Sequence, residues 1–234
     1  MATRPNHRNL FGTPLLVKQI ADEDMRAQLE DSILAKKVSD PGINRSNVGG
    51  GWHSDLKLLQ WGGAAATKLL EHTVALVNAN TQDVKADPEI QPQWTIEAWA
   101  NVNEKGGANM RHIHGGCYWS AVYYVRIDPG TGGELVLYDP RMPFLAMHAP
   151  TLRFRNAGGE REVRLKPAPG LLIVFPSWLA HAVEPWHGDG TRISIALNFT
   201  SMRVRVPKQA LKGSGPAAKA AAIEQQQEPL KDDA

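Results

Sequence analysis

The feature that most constrains this chain is a change of texture at Pro92. From there onward, short apolar-rich segments alternate with turn-forming clusters, at 93–103, 110–114, 119–126, 134–138, 162–166, 171–175, 181–183 and 191–199. Runs of this length, rich in β-branched and aromatic residues and bounded by Gly, Pro, Asn and Asp, read as strands. Successive side chains of a strand point to opposite faces. In 191–199 one face carries Ile193, Ile195, Leu197 and Phe199, and the other carries Arg192, Ser194 and Asn198. The apolar face is expected beneath helices and the polar face inside. Many short strands with inward polar residues and a helical cover predict a mainly β chain, a double-stranded β-helix (jelly roll) with N-terminal covering helices.

That cover lies in residues 1–92, read as part of the same domain. A strand is expected within 10–20 and a helix over 22–37, where Met25, Leu29 and Ile33 recur every four residues. Acids open this helix and Lys36 and Lys37 close it, as the helix dipole favours. Pro41-Gly42 ends it, and a glycine-rich loop over 47–55 carries Trp52 and His53. A second helix is expected over 64–77, with Leu69, Thr73 and Leu76 on one stripe. Residues 93–207 form the β-helix core. Residues 208–234, rich in Lys, Ala, Gln and Gly and without aromatics, read as a disordered tail. The long segment 141–159, with Pro143 and Pro150, reads as a lid over one mouth of the barrel.

Bulk composition removes several classes of function. A net charge of +2 is too small to argue for nucleic acid or an anionic membrane as partner. With Cys117 as the one cysteine, no disulfide framework can form within the chain. There is no apolar run of secretory or membrane-spanning length, so the expected location is the cytoplasm.

Chemistry concentrates in four places. His112 and His114, two apart in Arg-His-Ile-His, share a face if the strand continues through them, and His181 opens another strand. Two or three imidazoles converging on one point are a metal site for Fe(II). The bland reading is that a chain with eight histidines carries some as ordinary surface groups. His7, His53, His72, His148 and His187 are read that way, with His53 and His148 open as substrate contacts. Between His181 and Arg192 lies Glu-Pro-Trp-His-Gly-Asp-Gly, read as a hairpin turn. It would place Arg192 on the strand beside His181, one or two spacings of ~4.8 Å away. An inward arginine implies a bound acid or a protein partner, and its planar fork suits a carboxylate. The alternative is an outward arginine on an edge strand. Asn101 and Asn103 share a face and are candidate contacts to a bound acid and to substrate, respectively, or else buried structural amides. Arg141 is a candidate for a substrate carboxylate, or a partner for Asp139. Trp99, Trp119 and Trp178 read as core, and Gly132-Gly133 as a tight turn.

Five ordered segments carry a family resemblance: Glu-Ala-Trp-Ala-Asn-Val-Asn-Glu-Lys-Gly-Gly; Arg-His-Ile-His; Trp-Ser-Ala-Val-Tyr-Tyr-Val; Gly-Gly-Glu-Leu-Val-Leu-Tyr-Asp-Pro-Arg; and Leu-Leu-Ile-Val-Phe-Pro-Ser-Trp-Leu-Ala-His-Ala-Val followed by Arg-Ile-Ser. Together they resemble the iron(II)/2-oxoglutarate-dependent oxygenases, in the branch related to prolyl hydroxylases. The resemblance implies metal ligation by His112 and His181, with Arg192 and Ser194 gripping the distal carboxylate of 2-oxoglutarate and Tyr124 joining that clamp. It implies Fe(II) as cofactor, 2-oxoglutarate as co-substrate, O2 as oxidant, and hydroxylation of a small molecule, amino acid or peptide with release of succinate. The sequence departs from the family at His114, where the wider family has Asp or Glu. His114 is a third ligand, or it points aside, or the ligand comes from elsewhere; strand geometry favours the first. Two other classes remain open: a three-histidine cupin-like dioxygenase without a keto-acid, and a non-catalytic jelly-roll binding module. Substrate and oligomeric state are not legible.

Overall fold

The expected alternation builds two antiparallel sheets. The computed structural model describes residues 11–84, 90–141 and 160–205. Its elements run β1 (Leu16–Gln19), α1 (Glu23–Ser39), β2 (Asn47–Val48), β3 (Trp52–His53), α2 (Leu58–Trp61), α3 (Gly63–Ala79), β4 (Ile90–Asn103), β5 (Ala108–His112), β6 (Trp119–Ile127), β7 (Leu135–Tyr138), β8 (Glu162–Leu165), β9 (Leu171–Pro176), β10 (His181–Val183) and β11 (Arg192–Arg205). One sheet has the order β1-β9-β6-β11-β4-β3 and the other β2-β5-β10-β7-β8. This is a double-stranded β-helix. Met1–Thr81 with Thr95–Thr200 cluster as one unit, which holds every site residue discussed below. Gln82–Trp94 with Ser201–Ala234 cluster as a second, described only at 82–84 and at the strand ends 90–94 and 201–205.

Two layers of apolar packing follow from the pleat. Inside, Tyr124, Ile173 and Phe175 of the larger sheet meet Leu135 and Leu137 of the smaller one, with Leu179. On the opposite face of β11, Ile193, Ile195, Leu197 and Phe199 are all buried. Helix α1 packs on α3 and on β6, burying Met25, Leu29 and Ile33. Its start is set by Asp22, whose carboxylate accepts from the Met25 amide at 2.9 Å. Arg126 of β6 ties the helix down through Glu30 at 2.8 Å.

Three expectations change. Strand β5 ends at His112, so His114 lies beyond it, although its amide still donates to Ser177 O at 3.1 Å. Second, 184–190 is a crossover between sheets: His181 sits in the smaller sheet and Arg192 in the larger. Gly/Pro/Asp turn chemistry is common to hairpins and crossovers. Here Trp186 diverts the chain, exchanging backbone hydrogen bonds with Gly106 and Gly107 at 2.7 and 3.0 Å. Third, Trp178 is half exposed rather than core. The proposed lid, but for its first residue, and the tail lie outside the described residues, as do His7 and His148. Strand β4 runs across the boundary expected at 92/93. Among the described residues no helix is long and apolar enough to cross a membrane.

Loss of the α1 N-cap in Asp22→Ala is expected to cost about 1 kcal/mol. Urea unfolding at neutral pH checks it, with a midpoint shift and no change in slope as the expected result.

Candidate metal centre and carboxylate clamp

Strand register brings the histidines together. His181, the first residue of β10, pairs across the ladder with His112, the last of β5. Beyond the strand end, His114 is fixed by its own amide on Ser177 O and by Cys117 N donating to His114 O at 3.3 Å. Ring centroids are 4.3 Å apart for His112–His181, 4.8 Å for His112–His114 and 5.1 Å for His114–His181. One nitrogen from each lies within 4.8 Å of the others.

Two of the three rings have an assignable tautomer. His112 Nδ1 faces Met110 O at 2.6 Å, and His181 Nδ1 faces Leu179 O at 2.9 Å. A carbonyl oxygen only accepts, so each Nδ1 carries a proton and Nε2 is the nitrogen left to face a metal. Burial holds His114 down to about 4 and His181 to about 3, with neighbouring His112 adding to both shifts. The pair is therefore neutral at pH 7, the state in which imidazole binds metal.

Opposite, the larger sheet presents Arg192, which is 1 % exposed. Its Nε donates to Gly133 O at 3.0 Å and its Nη1 to Ser194 Oγ at 3.1 Å. The Tyr124 ring lies beneath the guanidinium at 5.0 Å. Arg192 Nη2 and the Tyr124 hydroxyl are buried without hydrogen-bond partners. No carboxylate among the described residues forms an ion pair with Arg192, and burial lowers its pKa. Gly133 makes room for it: φ is +71°, and a Cβ there would meet Arg192 Cδ at 2.8 Å.

One cleft is lined by both groups: His112, His114 and His181 at one side, Arg192, Ser194 and Asn198 at the other. Asn101 also lines it and leaves its Oδ1 unpaired. Ser120 bridges Ser177 and Asn198 at 3.0 and 2.8 Å, making a second polar patch. Asn103 is fully buried with both amide atoms unpartnered and is not part of the lining. Arg141 lies on the surface in a two-bond fork with Asp139, at 2.7 and 3.0 Å. Asn109 and Phe175 in the wall carry no signal in the sequence reading, which takes His53 as a surface or loop residue open as a substrate contact. His53 is 2 % exposed and stacks on Trp99. Its place beside Trp52 in a two-residue strand was the only available signal.

The donor set suits an iron centre with a bound keto-acid. Three imidazoles converge on one point, and across the cleft lies a buried guanidinium with no ion-pair partner among the described residues, beside an unpartnered phenol. Residues 97–198 match the model of the family described as "Putative 2OG-Fe(II) oxygenase". The matched stretch spans the β-helix core with all three histidines and Arg192. The family's description names Fe(II) and 2-oxoglutarate. Solved structures agree in fold. A Pseudomonas putida prolyl-4-hydroxylase has 17% identity over 80% of this chain and 92% of its own, with a TM-score of 0.57. A Trichoplax adhaerens prolyl hydroxylase, solved with a hypoxia-inducible-factor peptide, has 16% identity over 86% and 87%, at 0.55. HygX from Streptomyces hygroscopicus, solved with nickel and 2-oxoglutarate, has 14% identity over 87% and 91%, also at 0.55. No curated protein matches the sequence significantly.

Between pH 6.5 and the lowered values of His114 and His181, the unfolded chain binds more protons than the folded one. Their neutral burial is therefore compatible with full stability above about pH 6.5, and stability falls as pH drops toward 4. Denaturant melts of chelator-treated protein at pH 7.5, 5.5 and 4.5 should show this fall, flattened in a His114→Leu, His181→Leu double variant.

Proposed function

We propose that the chain is a 2-oxoglutarate-dependent hydroxylase in which His112, His114 and His181 hold Fe(II), and Arg192, Ser194 and Tyr124 hold the distal carboxylate of 2-oxoglutarate. The observation that carries this reading is the buried, unpaired Arg192 in the same cleft as the three histidines. A cation so placed is strongly destabilising until an anion meets it. When bound, iron and 2-oxoglutarate supply oxygen activation coupled to decarboxylation of the keto-acid to succinate.

The chain's own residues bind and orient. Met110 O and Leu179 O fix two imidazoles with Nε2 toward the cleft, which is how outer-shell carbonyls set metal ligands. Ser194 accepts from Arg192, so its hydroxyl proton is free to donate to a carboxylate oxygen. The free Nη2 of Arg192 and the Tyr124 hydroxyl add two further donors. Charge-assisted bonds of this kind hold a carboxylate at fixed distance from the metal. Asn101 offers an amide at the wall. The apolar body of the acid would lie between the two ends, against Leu135, Phe175 and Ala196. A small molecule, an amino acid or a peptide would fit as substrate. The all-histidine set favours one second reading, a cupin-like dioxygenase without a keto-acid, but that reading leaves Arg192 without a counter-ion.

Adding 2-oxoglutarate to the anaerobic Fe(II) protein should produce the weak visible charge-transfer band of a chelated keto-acid. Protein that holds Fe(II) but develops no band would refute the proposal. Arg192→Ala should raise the 2-oxoglutarate concentration needed for the band by roughly 30-fold or more, since truncating one partner of a buried charge pair costs about 2 kcal/mol at least. Gly133→Ala should act in the same direction, by about tenfold, because its Cβ displaces the arginine stem. Fe(II) affinity without the acid should stay unchanged in both variants.

A further inference from the structure

The three histidines are not held alike. His112 and His181 each donate Nδ1–H to the carbonyl two residues upstream. The ring of His114 forms no hydrogen bond with any described residue, and it stands past the end of β5. Its aromatic contact outside the histidine cluster, among the described residues, is Trp99, whose ring meets it edge-on with centroids 5.7 Å apart and planes at 62°. Trp99 is itself backed by His53, parallel within 10° at 5.4 Å.

This backing is built into the sheet. His53 pairs with Asn101 across β3 and β4, so Trp99 is its diagonal neighbour on the same face. Ser54 clips the two strands together twice: its amide donates to Ala100 O and its hydroxyl accepts from the Ala100 amide, both at 3.0 Å. His53 is anchored further through Nδ1 on Ser54 O at 2.6 Å. Trp99 is 7 % exposed and lines the cleft, so its ring has little freedom. The stack thus runs from the edge strand of the larger sheet to the coil that follows the smaller sheet's β5.

We propose that Trp99, braced by His53, is the positioning residue for His114, setting by ring contact the orientation that a carbonyl sets for the other two histidines. The proposal rests on the reading of His114 as a metal ligand. A ring free to turn about two side-chain torsions would present its nitrogen to the metal only part of the time. An aromatic edge on a braced face removes that freedom. Outer-shell partners of metal-bound histidines commonly change affinity 10–100-fold when lost.

The test is a double-mutant cycle on Co(II) affinity, using the full chain without 2-oxoglutarate and read by the visible d–d absorption of the bound ion. Trp99→Leu should weaken Co(II) binding about tenfold in the native background. It should change it less than about twofold in the His114→Ala background, because the residue it acts through is gone. Equal losses in both backgrounds, or no loss in the native one, would overturn the inference while leaving the three-histidine reading intact. If His114→Ala alone leaves Co(II) affinity unchanged, His114 is no ligand and both fall. Should Trp99→Leu lose its near-ultraviolet circular dichroism, Trp99→Phe replaces it. The expected result is then a d–d band altered in the native background and unaltered with His114→Ala, and a band unaltered in both refutes the role. His53→Leu should reproduce the Trp99 effect more weakly.

Discussion

A guanidinium on a residue only 1 % exposed, with one Nη unpaired, is the constraint around which the rest of the interior is arranged. Every neighbour of Arg192 is shaped to tolerate the charge without cancelling it. Gly133 adopts a positive φ and lends its carbonyl to Nε, Ser194 takes Nη1, and Tyr124 offers the face of its ring. None of these is an anion. A carboxylate from the chain would have satisfied the arginine permanently and closed the cleft to a ligand. Leaving the last donor open costs folding stability and leaves it available to an anion.

The two-sheet scaffold divides the work. The histidines belong to the smaller sheet and its flanking coil, whereas Arg192, Ser194 and Tyr124 belong to the larger sheet. The separation between them is therefore set by sheet-to-sheet packing, about 10 Å, rather than by the spacing of neighbouring strands. That distance suits an elongated diacid with one end at each sheet. The crossover at 184–190 links the two halves. Trp186 is 1 % exposed, and its Nε1 donates to Gly190 O at 2.9 Å. Asp128 then receives the Thr191 amide at 2.7 Å, which delivers Arg192 onto β11 in register with β6.

Most of this was legible because strand periodicity is a local property. The eight segments after Pro92, the apolar face of β11 and the Met25–Leu29–Ile33 stripe follow from side-chain alternation and helical repeat, and the structure reproduces them within a few residues. Convergence of His112 and His181 in one cleft with Arg192 was also readable from spacing and resemblance. What could not be read depends on which sheet a strand joins. The turn residues after His181 do not distinguish a hairpin from a crossover, so Arg192 was placed beside the histidine instead of across from it. The register of β3 against β4 decides that His53 is buried beneath Trp99, and a two-residue strand gives no periodic signal. Trp178 was misjudged because bulk alone suggests core, while its neighbours Ser177 and Leu179 take the inward positions.

His114 gains meaning from the same electrostatics as Arg192. A carboxylate at this position would neutralise part of the metal's charge and, facing the cleft, would repel an incoming dianion. A neutral imidazole does neither, and burial keeps it neutral by pushing its pKa to about 4. With no acidic side chain in the described lining, a metal held at the histidines would give the cleft positive potential at both ends, facing the guanidinium opposite. A carboxylate ligand is also drawn toward the metal by charge, whereas a neutral ring must be aimed. Exchanging the carboxylate for an imidazole thus shifts the burden from Coulomb attraction to packing, and it is the His114 ring, alone of the three, that rests against a braced tryptophan.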